Sequence, residues 1–256
     1  MNLYDVFEVL NGYAPLNLSD DILKFIGGDD NSGIIAPIKG EIKGIVFTLD
    51  LTHASVEKAK EIGANLIVTH HPAIYPNIKK LDYESSALLE CLNNKIGVIS
   101  MHLNLDCAEF GIDYYLASAF SSDIEKILND LGNNCGYGRV SKVNTTLGEM
   151  KAKYQSEFNT DKFVVYGNLD KKITKFASFC GSGLDISGID TASDCDLYIS
   201  SDVKHHVILY ALEKGKAVMN VSHYSSEVYG FKKFYNAVKE KLIDIKSVFI
   251  ENENMI

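Results

Sequence analysis

Ala64–Tyr75 reads ANLIVTHHPAIY, and Cys195–His206 reads CDLYISSDVKHH. In each, a short apolar run rich in branched residues ends in a polar turn that carries histidine. Such runs, bounded by turn residues, read as buried strands. Each is followed by a helical pattern, a glycine-containing turn and a second apolar run. That second run again leads into histidine: GVISMHLNLD (97–106) in one half, KAVMNVSHYSSE (216–227) in the other. The recurrence predicts a duplicated α/β unit. In open α/β sheets, ligands gather beyond the carboxyl ends of the strands, where both halves place their histidines.

Outward from these stretches, helices and strands alternate. A helix is expected over 3–12, stopping before Ala14-Pro15, then a strand over 43–49, a helix over 53–62 and a strand over 65–69. A helix over 83–94 puts Leu88, Leu89 and Leu92 on one face, ahead of a strand at 96–101 and a helix at 112–120. Residues 129–138, NDLGNNCGYG, are rich in Asn and Gly and are expected to form the turn region where the first domain ends. Beyond them, strands are expected at 139–143, 163–167, 174–180, 196–200 and 217–221, with helices at 147–158, 204–214 and 226–241. A final strand at 246–250 is free to join either domain. The fold class this predicts is α/β, as two related three-layer domains, 1–128 and 129–245, with a C-terminal strand in 246–256.

The bulk properties narrow the function. The chain has 256 residues, 46% of them hydrophobic, which suits a globular protein with a sizeable core. Its net charge of −9 argues against non-specific nucleic-acid binding, which needs Lys and Arg against phosphate. The five cysteines are scattered without a C-x-x-C pair, the usage of a reducing compartment. The N-terminal stretch MNLYDVFEVLNGYAP has no basic n-region, and no window is apolar enough to span a membrane. A cytoplasmic protein with no membrane partner is expected.

Three constellations carry metal-binding chemistry. His70 and His71 are adjacent after a strand, and neighbouring side chains on extended backbone point to opposite sides, so the pair suits two ions. His102 and Asp106 form H-x-x-x-D, and His223 and Glu227 form H-x-x-x-E at the corresponding place in the second half. Six such ligands can hold two divalent ions with positions left open, and Asp106 and Glu227 are the natural bridging carboxylates and candidate catalytic groups. Imidazole with carboxylate admits Zn, Fe, Mn or Ni. Asp202, Lys204, His205 and His206 share a loop in the second half. Asp202 suits the orienting of a ligand imidazole and Lys204 an anionic group, while the two histidines read equally well as metal ligands, partners of ligands or substrate contacts on one side, or as ordinary first-turn residues on the other. GSGLD (181–185) reads as a tight turn needing positive φ rather than a phosphate loop. Cys107 reads as a small buried residue, and Tyr229 and Tyr235 as packing.

These residues resemble the GTP cyclohydrolase 1 type 2 homologue family, the Nif-three-like proteins. The likeness runs over nearly the whole chain and rests on ANLIVTHHP, MHLNLDCAEFGIDYYLA, GYGRV, DLYISSDVKHH and SHYSSEVYGF. It implies that His70, His71, His102, Asp106, His223 and Glu227 are the metal ligands. It implies two related α/β domains with a dinuclear site in the cleft between them, and assembly into a homohexameric ring. Ser222 stands where many members have Gly, and CAEFGID where a double Gly is common, which bears on loop shape. The activity implied is metal-dependent hydrolysis that opens the purine ring of a nucleotide. A non-catalytic metal-handling or scaffold protein is the other reading that the ligand set admits.

Overall fold

The computed structural model describes residues 1–74, 86–252 and 254–255. The chain divides into two compact units. The first takes residues 1–108 and 231–251, the second 109–230 and the residues from Asn252.

The first unit begins with α1 (Leu3–Tyr13), α2 (Asn17–Ile26) and β1 (Gly33–Ala36). It continues through β2 (Ile45–Thr48), α3 (His53–Ile62), β3 (Leu66–Thr69), α4 (Ala87–Asn93), β4 (Gly97–Ser100) and the short α5 (Leu103–Cys107). Asn2 with Asp5, and Thr52 with Ser55, form capping boxes that start α1 and α3. The second unit holds α6 (Ile112–Phe120), β5 (Ile124–Gly132), β6 (Cys135–Thr146), α7 (Leu147–Glu157), β7 (Val164–Tyr166), β8 (Lys172–Ser178), α8 (Ile186–Thr191), β9 (Leu197–Ser201), α9 (His205–Glu213) and β10 (Ala217–Val221). Helix α10 (His223–Lys239) then carries the chain from the second unit into the first, where β11 (Ser247–Phe249) ends it.

The first sheet has the order β1-β4-β3-β2-β11, parallel except for β1. Strands β2, β3 and β4 are buried at every residue, which is why they read as unbroken apolar runs. Val46, Ile67 and Val98 form the core with Val56, Ala59 and Cys91 of the helices. The C-terminal part of α10 is held to the same unit by rings: Tyr235 lies 5.0 Å from Phe47 and 5.5 Å from Phe249, and Phe234 meets Tyr13 edge-on. The packing role expected for Tyr235 follows from this geometry.

The second sheet has the order β5-β6-β8-β9-β10-β7, parallel only through β8, β9 and β10. Its core is aromatic. Tyr154 stacks on Phe158 at 4.4 Å, Phe120 meets Phe176 edge-on, and Tyr229 closes on Phe158 at 4.7 Å.

Several expectations need correction. The Asn- and Gly-rich stretch 129–138 does hold a turn, but it is the turn of a long hairpin and ends no domain. Asn133 and Asn134 both have positive φ (52° and 60°), the conformation of a two-residue hairpin turn, which Asn tolerates. A boundary at 128/129 would cut through β5; the compact units part at Ala108/Glu109, and helix 112–120 belongs to the second. The elements α2, β1, α5, β5 and α8 were not anticipated; β1, α5 and α8 are only four to six residues long, whereas α2 is a regular amphipathic helix of ten residues, as long as α3. Residues 83–85 of the helix expected at 83–94 lie outside the described residues. Among the described residues, no helix is long and apolar enough to cross a membrane.

Candidate metal centre

Parallel neighbours β2, β3 and β4 deliver Asp50, His70–His71 and His102 to one edge of the first sheet. Backbone bonds shape the T-H-H-P turn: the N–H groups of His70 and His71 both donate to the Leu49 carbonyl, at 3.2 and 3.0 Å, and Thr69 Oγ1 donates to the His71 carbonyl at 2.8 Å. The two rings end 5.0 Å apart. His102 heads α5 and Asp106 lies one turn on, the spacing that puts two helical side chains on one face. His70 Nε2 stands 3.6 Å from Asp106 Oδ1, and ligand atoms of His70, His102 and Asp106 all lie within 4.8 Å of one another. Two donors bound to one ion at about 2.1 Å stand roughly 3–4 Å apart, so this group is of a size to share a cation. His70 is fully buried and Asp106 only 4% exposed.

Each imidazole is held by its other nitrogen. His70 Nδ1 donates to the Met101 carbonyl at 2.7 Å, His71 Nδ1 to Asp50 at 2.6 Å, and His102 Nδ1 to Asp30 at 2.6 Å. A carbonyl or carboxylate oxygen only accepts, so Nδ1 carries the proton in all three and Nε2 presents a lone pair. Asp30 also accepts from Ser32 Oγ at 2.5 Å, and Ser32 Oγ in turn accepts the His102 N–H at 3.1 Å. Burial pushes the Asp30 carboxyl up, but the bonds from His102 and Ser32 outweigh it and hold it below its ordinary value.

In the second unit, the carboxyl ends of β8, β9 and β10 lead to Gly181, Asp202 and His223. His223 is the first residue of α10 and Glu227 lies one turn on; Nε2 of the one is 3.1 Å from Oε1 of the other. Glu227 is 2% exposed. His223 Nδ1 donates to Asp202 at 2.6 Å, the orienting contact that the sequence suggested for Asp202. GSGLD is a tight turn: Gly181 has φ +57°, and Asp185 caps α8 through the Gly188 N–H. A β-carbon on Gly181 would come within 2.7 Å of Glu227 Oε1. Gly181→Ala is therefore expected to displace the Glu227 carboxylate and weaken metal binding at least tenfold by chelator competition. Strain at positive φ should lower stability by about 1 kcal/mol in thermal melts. Unchanged metal affinity would show that Glu227 is no ligand.

His205 and His206 occupy the first turn of α9 and are exposed, as is Lys204 before them. Among the described residues, neither histidine joins a cluster close enough to share an ion. His53, the exposed first residue of α3, bonds Glu90 at 2.7 Å. Cys107 is buried beside Asp106. Asp30 and Asp50 were missed: each lies far in sequence from the histidine it holds. The donor set, imidazole Nε2 and buried carboxylate with every Nδ1 tied to oxygen, fits a divalent cation.

Fold and side chains together define an α/β protein of two sheets, each bearing histidine–carboxylate groups where its parallel strands end. The chain belongs to the Duf34/NIF3 (NGG1p interacting factor 3) family, whose model matches residues 1–255. It is 27% identical over 236 residues to a GTP cyclohydrolase 1 type 2 homolog of Clostridium acetobutylicum, covering 89% of this chain and 85% of that one. It is 29% identical over 248 residues to the protein of that name from Methanocaldococcus jannaschii, covering 94% and 96%. Among solved structures it is similar to reduced HcgD from Methanocaldococcus jannaschii, with a TM-score of 0.80 at 27% identity over 97% of both chains. It shares its fold with the hypothetical protein SA1388 of Staphylococcus aureus, with a TM-score of 0.81 at 22% identity over 99% and 96%.

Proposed function

We propose that the chain holds two divalent cations through His70, His71, His102, Asp106, His223 and Glu227, and acts as a metal-dependent hydrolase that opens the purine ring of a nucleotide. The observation that carries the metal reading is the common state of four histidines. His70, His71, His102 and His223 each donate Nδ1–H to oxygen, which leaves Nε2 as the nitrogen with the lone pair. Core histidines have no reason to share one tautomer; metal ligands do. The names of the relatives supply the substrate class.

When bound, divalent cations supply Lewis acidity and lower the pKa of water near neutrality. The protein's part is to orient and to move protons. In this reading Asp106 and Glu227, both buried, hold the cations and take up and return a proton at a carboxylate oxygen. The chain is proposed to assemble as a homohexamer in the cytoplasm.

Elemental analysis of the purified protein, followed by assay of GTP before and after chelation, tests the reading. Two equivalents of metal, with turnover lost on chelation and restored by the metal, are expected. Two equivalents without turnover of any purine nucleotide would favour a metal-handling protein, and absence of metal would reject both.

A further inference from the structure

Three positions in the first unit recur in the second with the same job. Asp50 follows β2 and accepts from His71 after the neighbouring parallel strand β3; Asp202 follows β9 and accepts from His223 after the neighbouring parallel strand β10. Both bonds are 2.6 Å, both use Nδ1. Between carboxylate and imidazole lies one helix in each case, α3 or α9, closed by a glycine with φ +71°, Gly63 or Gly215. At one constant separation along the chain, and without a gap, Asp50, His53, Ala59, Glu61, Gly63 and His71 recur as Asp202, His205, Ala211, Glu213, Gly215 and His223. The ladders differ by one residue, Ile45 standing opposite Leu66 and Leu197 opposite Ala217. The repeat is thus β2-α3-β3 against β9-α9-β10, one strand away from the match that LIVTHH and YISSDVKHH suggest by eye.

We infer that Asp50 and Asp202 are equivalent positioning residues, one in each copy of a duplicated strand–helix–strand module, each fixing the imidazole that its module offers to a cation. The inference rests on the proposed metal site and goes beyond it. A free imidazole in water favours the proton on Nε2, the wrong nitrogen to protonate in a ligand that binds through Nε2. A carboxylate on Nδ1 reverses that preference, fixes the ring plane and raises the basicity of the opposite nitrogen. Neither aspartate is buried: the Asp50 side chain is 40% exposed and that of Asp202 64%. A partly exposed carboxylate bonded to a single imidazole adds little to folding, so a stability role alone does not account for its recurrence.

The test compares Asp50→Ala, Asp202→Ala and the corresponding Asn variants in the full chain. Long-range ¹⁵N–¹H spectra of the metal-stripped protein read the tautomer of His71 and His223, and competition with a chromogenic chelator reads Zn²⁺ affinity. Each Ala variant is expected to move only its own imidazole toward the Nε2–H form and to weaken one of two Zn²⁺ equivalents by about 10–100-fold. Asn, whose side-chain oxygen still accepts the Nδ1 proton, is expected to restore the tautomer but only part of the affinity. The proposal falls if His71 and His223 keep their tautomers in the Ala variants, or if both Zn²⁺ affinities stay within twofold of the unaltered protein. Failure of the unaltered protein to take up Zn²⁺ would overturn the metal reading itself, and the tautomer spectra would still decide whether each aspartate sets its imidazole.

Discussion

Asp113→Ala is expected to lower the stability of the protein by about 3–5 kcal/mol at neutral pH. Asp113 has no exposed surface, and it accepts the backbone N–H groups of Gly138 at 3.0 Å and Cys180 at 3.1 Å. The oxygen that accepts from Gly138 also lies 3.4 Å from Arg139 Nε, and Arg139 is itself buried, with its guanidinium over the Tyr114 ring. Truncation leaves a buried cation without its counter-charge and two buried donors without acceptors. Denaturant unfolding of the variant measures the loss. The pH dependence gives a second reading. Burial pushes the Asp113 carboxyl up to about 6, against the opposing pull of Arg139 and the two N–H groups. A carboxyl raised in the folded state binds its proton more tightly there than in the unfolded chain. Its contribution is therefore fullest below about pH 4 and declines as pH rises through about 6, by about 3 kcal/mol over the window. The gap between the parent and Asp113→Ala should widen on acidification from pH 6 to pH 4. A gap that narrows over that interval would show the carboxyl to be ionised throughout by its pairing with Arg139.

His70→Ala is expected to abolish tight binding of at least one cation. Structural zinc sites release about 10–16 kcal/mol through four ligands, so one buried imidazole represents about 2.5–4 kcal/mol, or roughly 60- to 700-fold in affinity. His70 is the histidine with no exposure, bonded at Nδ1 to the Met101 carbonyl, with Nε2 beside Asp106 and its ring 6.0 Å from Phe231. Ligand binding to the folded state raises the melting temperature by mass action. The unaltered protein should therefore melt higher as Zn²⁺ is added, and His70→Ala should respond much less. An equal rise in both proteins would place the metal elsewhere.

What the sequence disclosed follows from where the physics is local. Short buried strands ending in histidine are visible because burial on both faces forces unbroken apolar runs, and a loop begins where the run stops. His70, His71 and His102 were readable for that reason, and the H-x-x-x-carboxylate spacing of His102 with Asp106 and His223 with Glu227 reports one helical turn. Asp30 and Asp50 were not readable, because their pairing with His102 and His71 depends on which strands lie side by side. Asp30 sits in GGDDNSG, a stretch with the composition of any exposed loop. Asp50 becomes visible once the module containing it is laid over the one containing Asp202. The Asn- and Gly-rich turn between β5 and β6 was legible, but its place inside one sheet was not, because Ile124, Ile127, Leu128 and Leu131 fall at helical spacing and give no strand alternation.

The placement of β11 beside β2, and of Phe231, Phe234 and Tyr235 against Phe47, Phe249 and Tyr13, sets an order on biosynthesis. The amino-terminal unit is begun first and finished last, because an edge strand and an aromatic helix face of its core are encoded behind residues 109–230. At about 5–20 residues per second, a ribosome takes on the order of ten seconds to make the intervening segment. For that interval the nascent chain carries β2 uncovered, a period in which a holding chaperone has something apolar to grip.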